Sequence, residues 1–120
     1  MTDLFGKASA PAKPREELGG VRVLPVFRGE WFRGTAIVTG VLARGLLDPR
    51  LDLYDEAREF DWGRHTAGAR QLAFALLCNY LADTERARRL VPRFVEVCVQ
   101  SLPDKWSLTE QDLQEHLAAI

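Results

Sequence analysis

The sequence predicts an α+β fold: a small N-terminal antiparallel β-hairpin or three-stranded sheet packed on a C-terminal bundle of three to four helices. Three observations predict it. Segments rich in β-branched residues with turn punctuation are confined to the first half of the chain. Apolar residues from about Ala69 onward recur at helical spacing. A length of 120 residues suits one domain with one core.

Residues 1–20 combine small residues, Pro11, Pro14 and mixed charge and end at Gly19 and Gly20, so they read as a flexible leader before a single domain over 21–120. Val21–Phe27 and Thr35–Thr39 read as strands, with Arg28, Gly29, Glu30, Arg33 and Gly34 as punctuation between them. Pro25 places the first strand at an edge, because proline lacks the N–H that a central strand donates. Leu51–Tyr54 alternates and offers a third short strand.

The first helix is expected over about Ala69–Leu81. Leu72, Phe74, Leu76, Leu77, Tyr80 and Leu81, with alanines between them, leave almost no polar face, which marks a central, buried helix. Thr84 is placed to cap a second helix, in which Ala87, Leu90, Val91, Phe94, Val97, Cys98 and Ser101 share one face. Pro92 inside it predicts either a kink or two abutting helices, since it removes the bond to the Arg88 carbonyl. The last helix starts at Thr109, with Asp112 completing a capping box and Leu108 with Leu113 a hydrophobic staple. Trp106, just before it, reads as a core plug.

Composition narrows the functional classes. A net charge of −1 gives no global pull toward nucleic acid or membrane. No apolar run reaches the roughly 20 residues of a bilayer span, and Asp3 stands where a signal peptide has basic residues, so a cytoplasmic location is expected. Cys78 and Cys98 read as buried free thiols, and His65 and His116 share no ligand spacing, so neither a metal site nor a cofactor is expected. Ser9 and Ser107 lack a G-x-S-x-G setting, and Asp52–Asp61 does not match a calcium loop. No catalytic residues are assigned.

Charge is nevertheless segregated. Asp48, Asp52, Asp55, Glu56, Glu59 and Asp61 are opposed locally only by Arg50 and Arg58, whereas Arg64, Arg70, Arg86, Arg88, Arg89 and Arg93 are opposed only by Asp83 and Glu85. The two segments either pair across the fold or form two patches that steer partners. Two basic clusters are binding candidates. The loop with Arg64, His65, Thr66 and Arg70 opens the central helix, where free N–H groups and the helix dipole favour anions. Its bland alternative is that Thr66 caps the helix and Arg64 pairs with the acids upstream. Arg86, Arg89 and Arg93 fall on one helical stripe that suits a phosphate backbone, although Glu85 and Glu96 are spaced to pair with it. Trp31 and Phe32, read as lying in the strand-linking loop, are candidate protein-binding anchors.

The segment Leu47–Leu53, then Phe60, Trp62 and Gly63, then Gly68–Leu77 resembles a family of small bacterial, plasmid and phage proteins described as a domain of unknown function. Its pattern runs F-x-W-G-Y-G-G-S-G-P-A-Q-L-A-L-A-L-L, then L-P, then W-x-L-T-x-x-D-[IL]. Arg86, Ala87, Arg93, Phe94, Leu102, Pro103, Trp106, Leu108, Thr109, Asp112 and Leu113 fit its continuation. Where that pattern has Y-G-G-S-G-P, this chain has Arg64 to Ala69 with His65 and Thr66 among them. The resemblance implies a shared fold and no specific activity. It makes a mobile-element accessory plausible, one concrete version being a stoichiometric inhibitor of a host defence complex of the anti-CRISPR kind. The expectation is therefore a non-enzymatic interaction protein with a protein partner, and the alternative is a binder of nucleic acid or a phosphorylated ligand.

Overall fold

The structure is a computed structural model, and it describes residues 25–41 and 44–120. The expected leader and residues 21–24 of the first strand lie outside them. Strands β1 (Pro25–Phe32), β2 (Thr35–Gly40) and β3 (Gly45–Leu46) are followed by helices α1 (Ala67–Leu81) and α2 (Thr84–Val97). A 3₁₀ turn (Val99–Ser101), strand β4 (Trp106–Thr109) and helix α3 (Glu110–Ala118) complete the chain. The α+β class is as expected: an antiparallel sheet of order β3-β2-β1-β4 carries three helices.

The sheet differs from the sequence reading in four instructive ways. Arg28, Gly29 and Glu30 are not punctuation but the middle of β1. Gly29 sits there because Trp106 lies directly across it: a methyl group at Gly29 would fall inside the Trp106 indole, 2.5 Å from Nε1. A glycine in a strand here records close approach, not a turn. Pro25 does not mark an edge, since β1 lies between β2 and β4. Proline is tolerated as the first strand residue, opposite Thr109, where the register shifts before Phe27. Leu51–Tyr54 forms turns, and the third strand is Gly45–Leu46. The fourth strand comes from Trp106–Thr109, a segment whose apolar Trp106 and Leu108 point inward while Ser107 is exposed.

Arg33 (φ 52°) and Gly34 (φ 80°) form the two-residue β1–β2 turn, both left-handed as a type I′ hairpin requires. Arginine in this conformation costs on the order of 1 kcal/mol relative to an unstrained one. Trp31 and Phe32 therefore belong to the last paired rungs of β1, opposite Ala36 and Thr35, and not to a loop.

Helix α1 is the axis of the core, with residues 71–78 all buried. The Thr66 hydroxyl caps it by accepting from the Ala69 N–H. Ala82, in the left-handed conformation, closes it. Helix α2 is capped by Asp83, whose carboxylate accepts from the Arg86 N–H, one residue earlier than expected. A carboxylate at the N-cap adds a favourable charge–dipole contact that Thr84 would lack. The helix runs unbroken through Pro92, which is exposed, so the ring sits on the solvent side. The face stops at Cys98, and Ser101 belongs to the 3₁₀ turn. Helix α3 has the full capping box: Thr109 accepts from Asp112 N–H, and Asp112 accepts from Thr109 N–H. Leu108 and Leu113 are both buried. Cys78 and Cys98 are buried free thiols. Burial, with Asp112 nearby, pushes the Cys98 thiol up to about 12. Among the described residues no helix is long and apolar enough to cross a membrane, and no cluster of His, Cys, Asp or Glu could hold a metal ion.

Candidate functional site

The connection from Leu47 to Thr66 has no regular secondary structure, yet it is tied to α1, to α2 and to the turn after α2. Gln71, fully buried, is the central tie. Its Nε2 donates to the carbonyls of Pro49 (2.7 Å) and Tyr54 (2.7 Å). Its Oε1 accepts from the N–H groups of Glu56 (2.8 Å) and Ala57 (3.2 Å). All the hydrogen-bonding capacity of one amide is thus spent on backbone that a helix or strand would otherwise have satisfied. The Tyr54 ring stacks on Phe74 at 4.8 Å. Arg88 on α2 donates to the Leu53 carbonyl and pairs with Glu85, and Arg70 pairs with Glu56.

The loop before α1 is organised around Asp61. Its Oδ1 accepts from the Trp62 N–H at 2.9 Å, and its Oδ2 accepts from the Thr66 hydroxyl at 2.8 Å and from Arg64 Nε at 2.9 Å. Burial pushes this carboxyl up, but the Thr66 hydroxyl, Arg64 and the Trp62 N–H outweigh it and hold it below the usual aspartate value. Gly68 permits the first turn of α1 to close on this segment. A Cβ there would lie 2.8 Å from both the Asp61 Cβ and the Glu59 carbonyl oxygen. The Gly63 N–H donates to the Val99 carbonyl at 3.0 Å, tying the loop to the turn after α2.

Of the expected site residues, Thr66 is the helix cap and Arg70 is committed to Glu56. Arg64 keeps most of its surface: its side chain is 72% exposed and uses only Nε on Asp61, leaving both terminal nitrogens turned to no partner among the described residues. His65 is exposed and forms no hydrogen bond to Asp61 or Glu59 among the described residues, so no acid–base dyad assembles there. On α2, Arg86, Arg89 and Arg93 are exposed together. Arg93 pairs with Glu96, while Glu85 pairs with Arg88 and not with Arg89. The helical stripe is real, but Arg86 starts α2 beside the C-terminal end of α1, so roughly the 22 Å length of a 15-residue helix separates it from the Arg64 loop.

One junction joins two candidates that the sequence keeps apart. The Trp31 ring lies 4.5 Å from that of Trp62, tilted by 30°, and Trp62 meets Trp106 edge-on at 5.6 Å. Trp62 and Trp106 are buried, and their indole N–H groups have no acceptor among the described residues. Trp31 is 37% exposed and Phe32 59% exposed, with the Arg33 guanidinium 5.3 Å above the Phe32 ring. Hairpin tip and helix-opening loop therefore share a buried aromatic base. The sheet face turned away from the core holds, among the described residues, a groove of about 480 Å³ lined by Arg28, Glu30, Ile37, Thr39, Lys105 and Ser107, with Lys105 3.9 Å from Glu30.

The residues sequence reasoning missed are Gln71, Trp62 as the support of Trp31, and Arg88. Gln71 had a signal, an amide at the start of a long apolar helical run, which calls for a buried partner. Neither the Trp31–Trp62 contact nor the Arg88–Leu53 bond had one, since both join segments more than 25 residues apart.

The model of a family of unknown function, DUF6166, matches residues 27–119, and the chain belongs to that family. No curated protein and no solved structure matches the chain.

Proposed function

We propose that this DUF6166 member is a non-enzymatic binding protein that acts stoichiometrically, by occupying the surface of a partner protein. The observation that carries this reading is that the part-exposed Trp31 rests on Trp62, two residues before the exposed Arg64. Aromatic and arginine side chains on a rigid base are the composition of protein-binding hot spots. The same loop spends its carboxylate on the Trp62 N–H, Arg64 and Thr66, which argues for a positioned surface and against a general base. A narrower form, resting on resemblance alone, is a phage or plasmid accessory that inhibits a host defence complex in the anti-CRISPR manner, in the cytoplasm.

The test is affinity co-purification of the tagged protein from a bacterial lysate at moderate salt, with proteins and nucleic acid both identified. A protein in fixed ratio to the bait, retained as salt is raised, is expected. An empty column, or nucleic acid alone that washes off with salt, overturns the reading. The second outcome supports the alternative, a binder of nucleic acid or a phosphorylated ligand. The observation favouring that alternative is the exposed stripe of Arg86, Arg89 and Arg93, in which Arg86 and Arg89 meet no carboxylate among the described residues.

A further inference from the structure

One face of the sheet lies on the core, and no described helix covers the other. Along β1 the side chains alternate: Phe27 and Gly29 are buried on the core side, whereas Arg28, Glu30 and Phe32 are exposed on the outer side. On that outer side β2 contributes Ile37 and Thr39, and Val41 follows, bonded to Val26 of β1 and exposed. Leu46 of β3, opposite Thr39, is 69% exposed. A sheet face turned to water is expected to be polar, yet Val26, Phe32, Ile37, Val41 and Leu46 are apolar. Two adjoining hollows of about 480 and 320 Å³ run over this face and share Pro25, Arg28 and Thr39.

The charges here are ordered. Arg28 meets no carboxylate among the described residues, and Glu30 holds Lys105 only loosely, at 3.9 Å with both side chains more than half exposed. The outer row of β1 thus runs apolar, basic, acidic, apolar: Val26, Arg28, Glu30, Phe32. Such a row is its own complement. A two-fold axis lying across the strand at Gly29 sets Arg28 over Glu30 of a second copy, and Val26 over Phe32. The same turn sets Ile37 of β2 over Thr39, with no like charges facing. Packed sheets lie about 10 Å apart with strands within about 30° of alignment, a gap that arginine and glutamate together can bridge.

We infer that the occupant of this face is a second copy of the chain, packed sheet to sheet as an antiparallel two-fold dimer. An unrelated partner gives no reason for a row that complements itself. The inference goes beyond the protein-binding reading and does not rest on it. Trp31 turns to the core side of β1, onto Trp62, so the surface proposed above stays free and is presented twice in the dimer. The strands are only two to eight residues long, so the association is weak, and the stability of the dilute chain reads the fold alone.

The experiment is sedimentation velocity on the full-length chain from about 1 μM to about 500 μM, a range that covers weak association. The wild type is expected to pass from monomer to dimer across it. Arg28→Glu and Glu30→Arg each set like charges over one another twice, so each is expected to weaken the dimer about tenfold or more. The double reversal Arg28→Glu/Glu30→Arg restores opposite charges and is expected to return to within about fivefold of the wild type. An equimolar mixture of the two single variants is expected to form a heterodimer more readily than either variant pairs with itself. Both residues are exposed, and circular dichroism confirms that each variant is folded. A wild type that stays monomeric throughout, a dimer indifferent to both single reversals, or a double variant no better than the singles overturns the inference. The protein-binding reading fails separately: a monomer that still co-purifies a partner removes the dimer and keeps that reading.

Discussion

The Leu47–Thr66 connection and the β1–β2 hairpin tip treat their side chains in opposite ways. The connection is irregular in backbone but turns its hydrogen-bonding groups inward: Gln71 takes four backbone groups, Asp61 takes three donors, and Arg70 and Arg88 cross to it from helices. The tip is regular in backbone, with every rung paired, yet it turns Phe32 and part of Trp31 outward. The lesson is that loop and strand labels do not locate function here. An ordered loop can be structural along most of its length, with Arg64 its exposed exception, and a strand end can hold the exposed aromatics.

The sharpest way to break this contrast is Gln71→Leu. It removes the amide and leaves four part-buried backbone groups without their partner, so unfolding in urea is expected to show a loss of about 3 kcal/mol, several times a single hydrogen bond. A loss no greater than that of an ordinary surface substitution would mean that the connection is not anchored as described. Gly29→Ala comes next. Its methyl group collides with the Trp106 indole, and overpacking of this kind costs about 1–3 kcal/mol, read as a lower melting temperature with altered tryptophan fluorescence. Thr66→Ala removes both the α1 cap and a donor to Asp61, with an expected loss of about 1 kcal/mol.

Asp61 gives the comparison a pH signature. Its carboxyl titrates lower in the folded chain than in the unfolded one, so its contribution is fully present above the unfolded value and is lost as pH falls through the folded value. Asp61→Asn is therefore expected to flatten the acid limb of the stability profile, and an unchanged limb would deny the Asp61 cluster its role. At the tip, Phe32→Ser is expected to change stability by less than about 0.5 kcal/mol, the range of ordinary surface substitutions. A large loss there would mean that Phe32 packs structurally and is not a free surface.

Much of this architecture was legible in the chain. The almost wholly apolar segment Leu72–Leu81, the Thr66 cap, the capping box of Thr109 with Asp112 and the inward Trp106 all rest on local rules, which act over a few residues and survive any packing. Arg64, too, was foreseen as a partner of the upstream acids, and it is Asp61 that it meets. The sheet was less legible. Gly29 resembles a turn residue until Trp106, 77 positions later, is seen to cover it.

The sequence by itself determined the class of fold, the central helix, the caps of α1 and α3 and the segregation of charge, because periodicity, capping and composition are short-range properties. Only the tertiary structure decided that β4 joins β1, that one glutamine amide holds a 20-residue connection, and that Trp31 rests on Trp62 beside Arg64. Each of these joins residues far apart in the chain, and no local preference encodes such a meeting. It is set by which packing buries the most apolar surface while leaving the fewest backbone groups without partners.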